Sequence, residues 1–435
     1  MFEHLNFIVN FHNADYSDLR LPEADKRTLR ELALQVAEIA HRPVMEERKQ
    51  LWKVHNALGE TRPLLLCDPE NGWNEIITDD QVQCTNSIAR HWEVHLRKQL
   101  FWGNEMGDDY VVEPVFNSVH LHSEPSWGVE GVEQKATVFH AMQNGGAYHI
   151  ETILENFEEQ FHKIEEPQLT IDRELTEKVH AIARELFDDI LTTRLKTWWF
   201  WSTGPTDEYV RLRGMENMMF DFYDEPEYVH KTMQLIQNWT IRRLEFLEKN
   251  GLLTLNNDGS YVGSGGQGFT DELPAPGFEE VVRICDLWGL AESQVSVGVS
   301  NPMFEEFIFR YQQPVMERFG LSCYGCCEPM HERIDIVRRT KNLRRVSVSP
   351  WADKEIMAQK LGRDFIYSAK PNPSFLTLEA IDEEASRKEV RHILEVARDT
   401  CLELVMKDNH TLGHNPNNIT DFVKIAREEI SRAGY

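Results

Sequence analysis

At 435 residues, with 41% hydrophobic and 27% charged side chains, the chain is long enough for one large domain or two and has the composition of a globular protein. Its net charge of -26, from 46 basic against 72 acidic residues, repels a phosphate backbone and argues against nucleic acid as a partner. No apolar run approaches the ~18 residues of a membrane-spanning helix, and no GxxxxGK[ST] phosphate loop, zinc-finger, RNA-binding or HExxH motif is present.

The opening Met1-Phe2-Glu3-His4-Leu5-Asn6 lacks the basic region and apolar core of a signal peptide, so a cytoplasmic location is expected. Seven cysteines in such a chain argue for free thiols, metal ligands or catalysis rather than a disulfide framework.

Residues 1–105 read as a helical extension or cap. Glu23 to His41 sets Leu29, Leu32, Leu34, Val36, Ile39 and Ala40 on a helical face, and Thr85 to Phe101 does the same with Ile88, Trp92, Val94, Leu96 and Leu100. Between them, Arg62 to Pro69 reads as a short strand or an apolar turn.

From residue 106 to 435 the pattern becomes strands alternating with helices. The expected strands are Tyr110 to Phe116, Leu195 to Trp201, Leu252 to Asn256, Gln294 to Val299, Phe319 to Tyr324, Leu343 to Val348, Asp364 to Ser368 and Leu402 to Met406. The long insertion after the first contains Gly145-Gly146. A helix capped by Asp224, with Pro226 in its first turn and Gly251 at its end, precedes the third. Eight strands with intervening helices predict an α/β fold, a (β/α)8 barrel of TIM type carrying an N-terminal, mainly helical extension. The Gly263-Ser264-Gly265-Gly266-Gln267-Gly268 run reads as a mobile loop over the site rather than a phosphate cradle.

Barrel enzymes place their chemistry at the C-terminal strand ends. There the sequence offers His120 and His122, Asn257 and Asp258, Ser300 and Asn301, the cluster Cys323-Tyr324-Gly325-Cys326-Cys327-Glu328, then Trp351, Lys370 and Lys407-Asp408-Asn409-His410. Zinc accepts cysteine sulfur, histidine nitrogen and carboxylate oxygen, and a catalytic site uses three protein ligands. Cys326 and His410, with Glu328 or Cys327 as the third, meet that requirement. Cys326 is preferred to Cys327, because neighbouring side chains on an extended strand point to opposite faces. Small buried cysteines with Glu328 opening a helix form the bland alternative.

His120-Leu121-His122 with Asp408 is a weaker metal pattern of amidohydrolase type, against which ordinary loop histidines must be weighed. Asp258 is a candidate acid, base or hydrogen-bond acceptor, or else an Asn-Asp-Gly turn residue. Lys370 can bind a substrate carboxylate or remain solvated, and Ser300 and Trp351 join it as substrate-binding candidates. Trp198, Trp199 and Trp201 suit core packing better than a ligand wall.

Gly214-Met215-Glu216-Asn217 through Phe220-Asp221, Asp224-Glu225-Pro226-Glu227-Tyr228-Val229-His230, Asn257-Asp258-Gly259 and the closing Asn415-Pro416-Asn417-Asn418-Ile419 through Ala426-Arg427-Glu428 form a recurring set. Over residues 195 to 433 the chain resembles the uroporphyrinogen decarboxylase superfamily, particularly its cobalamin-dependent branch, which includes methylcobalamin:coenzyme M methyltransferases. The resemblance implies zinc on a His-x-Cys pair at strand five and a Cys after strand eight. Here Tyr324-Gly325-Cys326 stands at the first place and His410 near the second, so either zinc uses a swapped set of Cys326, His410 and Glu328, or the site has lost its metal and Tyr324 does other catalytic work.

The expected activity is zinc-dependent methyl transfer between a corrinoid, cobalamin or a corrinoid protein, and a thiol or similar small acceptor, with Asp258 managing protons. Porphyrinogen decarboxylation is disfavoured by the lack of an arginine-rich N-terminal loop. A small-molecule decarboxylase or lyase, a metal-dependent hydrolase and a non-catalytic corrinoid-binding protein are the alternatives.

Overall fold

The computed structural model describes residues 14–132, 152–196 and 199–435, with the backbone of two short strands at 136–139 and 147–150. The Gly145-Gly146 step and Trp198 lie outside the described residues. The N-terminal helices follow the apolar periodicity. In α1 (Glu23–Ala40), Leu29, Leu32, Val36 and Ile39 are buried, whereas Leu34 falls on the outer side. The following α2 (Pro43–Asn56) starts on Pro43, and α3 (Ser87–Phe101) is capped by the Asn86 side chain, which accepts from the backbone N–H groups of Ile88 and Ala89.

Among the described residues, eight parallel strands carry the fold: β1 (Leu64–Cys67), β2 (Val115–Ser118), β3 (Thr192–Leu195), β4 (Trp288–Ala291), β5 (Leu321–Tyr324), β6 (Leu343–Val348), β7 (Ile366–Ala369) and β8 (Cys401–Met406). Six of them form one sheet in the order β1-β8-β7-β6-β5-β4, and β2 pairs with β3 separately. Helices lie between successive strands, so the protein is α/β. Strands β1, β4, β5, β7 and β8 are buried along their whole length, as expected where helices cover a parallel sheet. The insertion between β2 and β3 contains short antiparallel pairs, among them His122–Ser123 with Thr170–Ile171 and Gly128–Val129 with Ile164–Glu165.

The first two expected strands are displaced. β2 begins at Val115 rather than Tyr110, and β3 ends at Leu195, where the expected strand began. Two others are not strands. Leu252 to Asn256 follows α4 (Pro226–Lys249) as irregular backbone, because the Asn256 side chain takes the place of a ladder: its Nδ2 donates to Trp288 O at 3.0 Å and its Oδ1 accepts from Trp288 N at 2.9 Å. Gln294 to Val299 is a 3-10 turn and bend, and the true strand is the unbroken apolar run Trp288–Ala291 just before it. Ser300 and Asn301 therefore open a helix instead of following a strand. The start of α4 also differs, since Glu225 rather than Asp224 occupies its N-cap.

Leu64–Cys67, inside the segment read as an extension, is hydrogen-bonded to β8 from Leu64↔Glu403 to Cys67↔Met406. The first hundred residues thus complete the edge of the main sheet.

The glycine-rich run is buried throughout, together with its neighbours from Tyr261 to Thr270. It forms a tight hairpin, with an antiparallel bridge between Tyr261 and Gln267, tied down by Asn56 Nδ2, which donates to Gln267 O and Phe269 O at 2.8 Å each. Close approach is what demands glycine here. A Cβ on Gly265, at φ +119°, would meet Val405 Cγ1 of β8 at 2.3 Å, and one on Gly266 would meet the Arg345 guanidinium of β6 at 2.9 Å. The run is a fixed internal floor against β6 and β8, not a mobile lid.

Candidate functional site

The ends of β5 and β8 bring thiols, a carboxylate and a lysine together. After Tyr324 the chain turns at Gly325, whose φ is +92°, and the turn cancels the strand alternation that would otherwise separate Cys326 from Cys327. Their sulfurs lie 3.4 Å apart. Cys327 Sγ is 3.3 Å from Asp408 Oδ2, and Lys407 Nζ lies 3.6 Å from Cys326 Sγ and 2.5 Å from Asp408 Oδ1. A hydrogen bond from Cys327 lowers the pKa of the Cys326 thiol; burial opposes this and the Lys407 ammonium assists it. Cys327 is shifted upward, first by its bond to Cys326 and then by burial. The pair therefore divides the work, with Cys326 the better thiolate and Cys327 the proton holder.

The loop is anchored from behind. Glu328 Oε2 accepts from Cys326 N at 2.8 Å, while its Oε1 accepts from Ser293 N at 2.8 Å and Ser293 Oγ at 3.2 Å. Ser347 Oγ donates to Cys326 O at 2.8 Å. On the β8 side, Asp408 adopts φ +61°, and Glu70 just past β1 adopts φ +48°. Both are left-handed conformations that non-glycine residues hold only when their surroundings over-determine them. Buried oxygens gather around this rim. Asp68 Oδ2, Asn409 Oδ1, Ser349 Oγ and Ser264 Oγ have no hydrogen-bond partner among the described residues, a set of unsatisfied groups that suits a polar ligand.

The donor atoms of Cys326, Cys327 and Asp408 all lie within 4.8 Å of one another. Around tetrahedral zinc, two sulfurs sit ~3.8 Å apart and a sulfur and an oxygen ~3.6 Å apart, from the ordinary bond lengths. The observed 3.4 and 3.3 Å separations need an opening of a few tenths of an ångström. Two soft sulfurs with one carboxylate oxygen fit zinc in chemistry and in position.

The residues brought together here differ in part from the ligand set expected from the sequence. Cys326 and Cys327, the latter weighed as an alternative third ligand, lie together with Asp408, whereas the Glu328 carboxylate is committed to backbone N–H groups and His410 is exposed. Tyr324 lies on the opposite face of β5 from Cys323, its hydroxyl donating to Gln312 Oε1 at 2.7 Å on the helix Arg310–Met316, while Cys323 faces Arg345. Strand alternation thus places Tyr324, itself fully buried, on the helix-covered side of β5 away from Cys323. His120 and His122 pack on Trp199, with ring centroids 5.7 and 4.7 Å away, and neither belongs to the thiol and carboxylate group.

Asp258 forms a second polar centre. Lys196 Nζ donates to both of its oxygens, at 2.8 and 2.7 Å, and Arg194 Nη1 lies 3.2 Å away. Burial would raise the carboxyl pKa, but Lys196 and Arg194 hold it down to about 2. Such a group stays ionised and anchors cations rather than exchanging protons at neutral pH. Beside it, a cavity of about 110 Å³ is lined by Arg194, Lys196, Trp199, Trp201, Tyr261 and Trp288 among others. Trp199 and Trp201 thus form cavity wall as well as packing. Of the other substrate-binding candidates, Lys370 is buried inside the strand ends, while Ser300 is exposed and Trp351 is 68% exposed.

No protein-family model matches the sequence, and no curated protein matches it.

Proposed function

We propose that the chain is a metal-dependent group-transfer enzyme, and specifically that it moves a methyl group between a corrinoid and a thiol or similar small acceptor, with zinc held by Cys326, Cys327 and Asp408. The observation that carries this reading is the convergence of two sulfurs and one carboxylate oxygen within 4.8 Å. Closure of the eight parallel strands into a (β/α)8 barrel belongs to the same proposal, since it would gather the ends of β5 and β8 with those of β1 and β7 into one mouth. The corrinoid and the methyl group come from the resemblance over residues 195 to 433.

Bound zinc supplies a Lewis-acidic position at which an acceptor thiol loses its proton readily. The chain's own residues prepare that position. Lys407 balances the anionic charge of Cys326 and Asp408, Glu328 and Ser347 fix the backbone that carries Cys326, and the buried oxygens of Asp68 and Asn409 orient polar groups of the incoming molecule.

Metal analysis of the purified protein tests the reading. One zinc per chain is expected, lost in Cys326→Ser and in Asp408→Asn, with methyl transfer from methylcobalamin to a small thiol falling in parallel. Full activity in metal-free protein overturns it. One observation favours a second reading, decarboxylase or lyase chemistry: the cavity is lined by Arg194, whose guanidinium suits a substrate carboxylate. Turnover lost in Arg194→Gln but indifferent to metal removal selects that alternative.

A further inference from the structure

The mouth contains a second lysine whose setting differs from that of Lys407. Lys370 follows β7 directly, its backbone N–H donating to Val348 O at 2.9 Å, and its side chain is only 3% exposed. Among the described residues its Nζ makes one hydrogen bond, to Ser368 Oγ at 2.6 Å. Ser368 Oγ in turn donates to Glu403 Oε1 at 2.5 Å. The chain of donors therefore runs in one direction, from the amine through the hydroxyl to the carboxylate.

Glu403 is shared between that hydroxyl and other donors. Its two oxygens also accept from Arg345 Nε at 2.8 Å, Arg345 Nη2 at 3.1 Å and His55 Nε2 at 3.0 Å. The charged and titratable groups acting on Lys370 include Glu403, Lys407 and Asp408 from β8 and its end, Arg345 from β6, and Cys323 and Cys326 at and after the end of β5. Lys407, by contrast, has the Asp408 carboxylate 2.5 Å away. The two lysines thus differ in their direct partners: Lys407 Nζ bonds a carboxylate, whereas Lys370 Nζ bonds a neutral hydroxyl, with Glu403 and Asp408 acting on it from farther away against the cations Lys407 and Arg345. Divergent settings of like groups are how acid and base roles are assigned within a site.

We propose that the side-chain amine of Lys370 is the proton acceptor of this mouth, positioned by Ser368 and Glu403 to take the proton that a thiol acceptor loses on entering the site. The role rests on the methyl-transfer reading for the identity of the acid, but not for the identity of the base. In the step, the S–H bond of the acceptor breaks, its electron pair stays on sulfur as the nucleophile, and an N–H bond forms on Nζ. The resulting ammonium is stabilised through Ser368 by Glu403. Burial supports this assignment by pushing the Lys370 amine down to about 7, with Glu403 opposing the shift and Lys407 and Arg345 adding to it. Ser368 and Glu403 are positioning residues. The carboxylate-binding role expected for Lys370 from the sequence gives way to a proton-transfer role, because its amine is enclosed and lies beside cations.

The test follows the ¹³Cε signals of lysine-labelled, full-length protein from pH 5 to 10, with a kinetic arm using methylcobalamin and 2-mercaptoethanol. One lysine should titrate near 7, and its signal should vanish in Lys370→Met. Glu403→Gln should move that titration to lower pH, because a charge favouring the ammonium is lost. Should the Glu403 variant fail to fold, Ser368→Ala breaks the donor chain without removing a charge, and a downward shift is again expected. In the kinetic arm, Lys370→Met should retain its zinc, lose methyl transfer about 100-fold or more and lose the acid limb of the pH profile.

A Lys370 signal that titrates near 10, or a Lys370→Met protein with the wild-type pH profile, overturns the assignment. If wild-type protein transfers no methyl group, the methyl-transfer reading fails while the titration still decides the base: a signal near 7 that responds to Ser368→Ala supports it, and any other result overturns it.

Discussion

Cys326 and Lys407 show how one contact sets a reactivity. The ammonium 3.6 Å from the sulfur favours the thiolate, so Lys407→Met should raise the pKa of Cys326. After metal chelation, alkylation of Cys326 by iodoacetamide at pH 7 should slow by about tenfold for each unit of upward shift, read by mass spectrometry of the modified peptide. An unchanged rate would remove Lys407 from the account.

The buried His55 and Glu403 pair makes a different, structural prediction at the same scale. Burial alone would lower the His55 pKa, but Cys401 and Glu403 override it and raise it from 6.5 to about 9. The stability this pair contributes is fully present below about 6.5 and is lost as the pH rises through 9. Glu403 is shifted downward: burial opposes this, and Arg345 and His55 outweigh it, so its own contribution is lost only in strong acid. Urea midpoints should therefore fall between pH 6.5 and 9, and His55→Gln should flatten that fall. Glu403→Leu leaves Arg345 buried without its carboxylate and should cost about 3–5 kcal/mol.

Among the elements, the internal hairpin is where local sequence and three-dimensional role diverge most. Gly263 to Gly268 has the composition of a flexible loop, yet each glycine permits contact with a strand side chain or with backbone. Gly265→Ala combines a strained φ with a 2.3 Å clash against Val405 and should cost about 2 kcal/mol or more, whereas Gly298→Ala, with nothing within 4 Å, should change little. Denaturant titration of the two variants separates packing from mere glycine content.

The strand readings divide along similar lines. Strands β5 to β8 were legible because each is a short run rich in β-branched, aromatic or aliphatic residues, bounded by turn residues, even where Arg344, Arg345 or Glu403 interrupts it. Gln294 to Val299 was misleading because its period-two alternation of valines arises in a turn that leaves Val297 51% exposed. Asn256 could not be foreseen as a stand-in for a strand, since nothing in its neighbours distinguishes an amide that pairs with Trp288 from one facing water.

For the molecule as a whole, the main consequence concerns the first hundred residues. They supply β1 at the sheet edge, and Trp52 Nε1 and Arg62 bind the 108–110 turn, at Asp109 O (2.8 Å) and Asp109 Oδ1 (2.6 Å) respectively. A chain beginning at residue 106 would expose the hydrogen-bonding edge of β8 and leave Asp109 without Arg62. It should fail to unfold cooperatively, as followed by circular dichroism, and its β8 amides should lose protection from hydrogen exchange. A cooperative transition like that of the full chain would mean that the segment is a separable cap.

Local patterning alone carries the α/β alternation, the burial of most of strands five to eight and the richness of their ends in polar and thiol side chains. These follow from short-range periodicity and from residue types that are costly to bury without purpose. The neighbours of Cys326, by contrast, are a property of the folded chain. Gly325 turns Cys327 to the same side, Asp408 arrives from β8 some eighty residues later, and Glu328 and His410 are directed elsewhere. Folding likewise gives Lys370 and Lys407 their unlike environments, because charge balance at the buried strand ends is the sum over several strands and no single stretch of chain contains it.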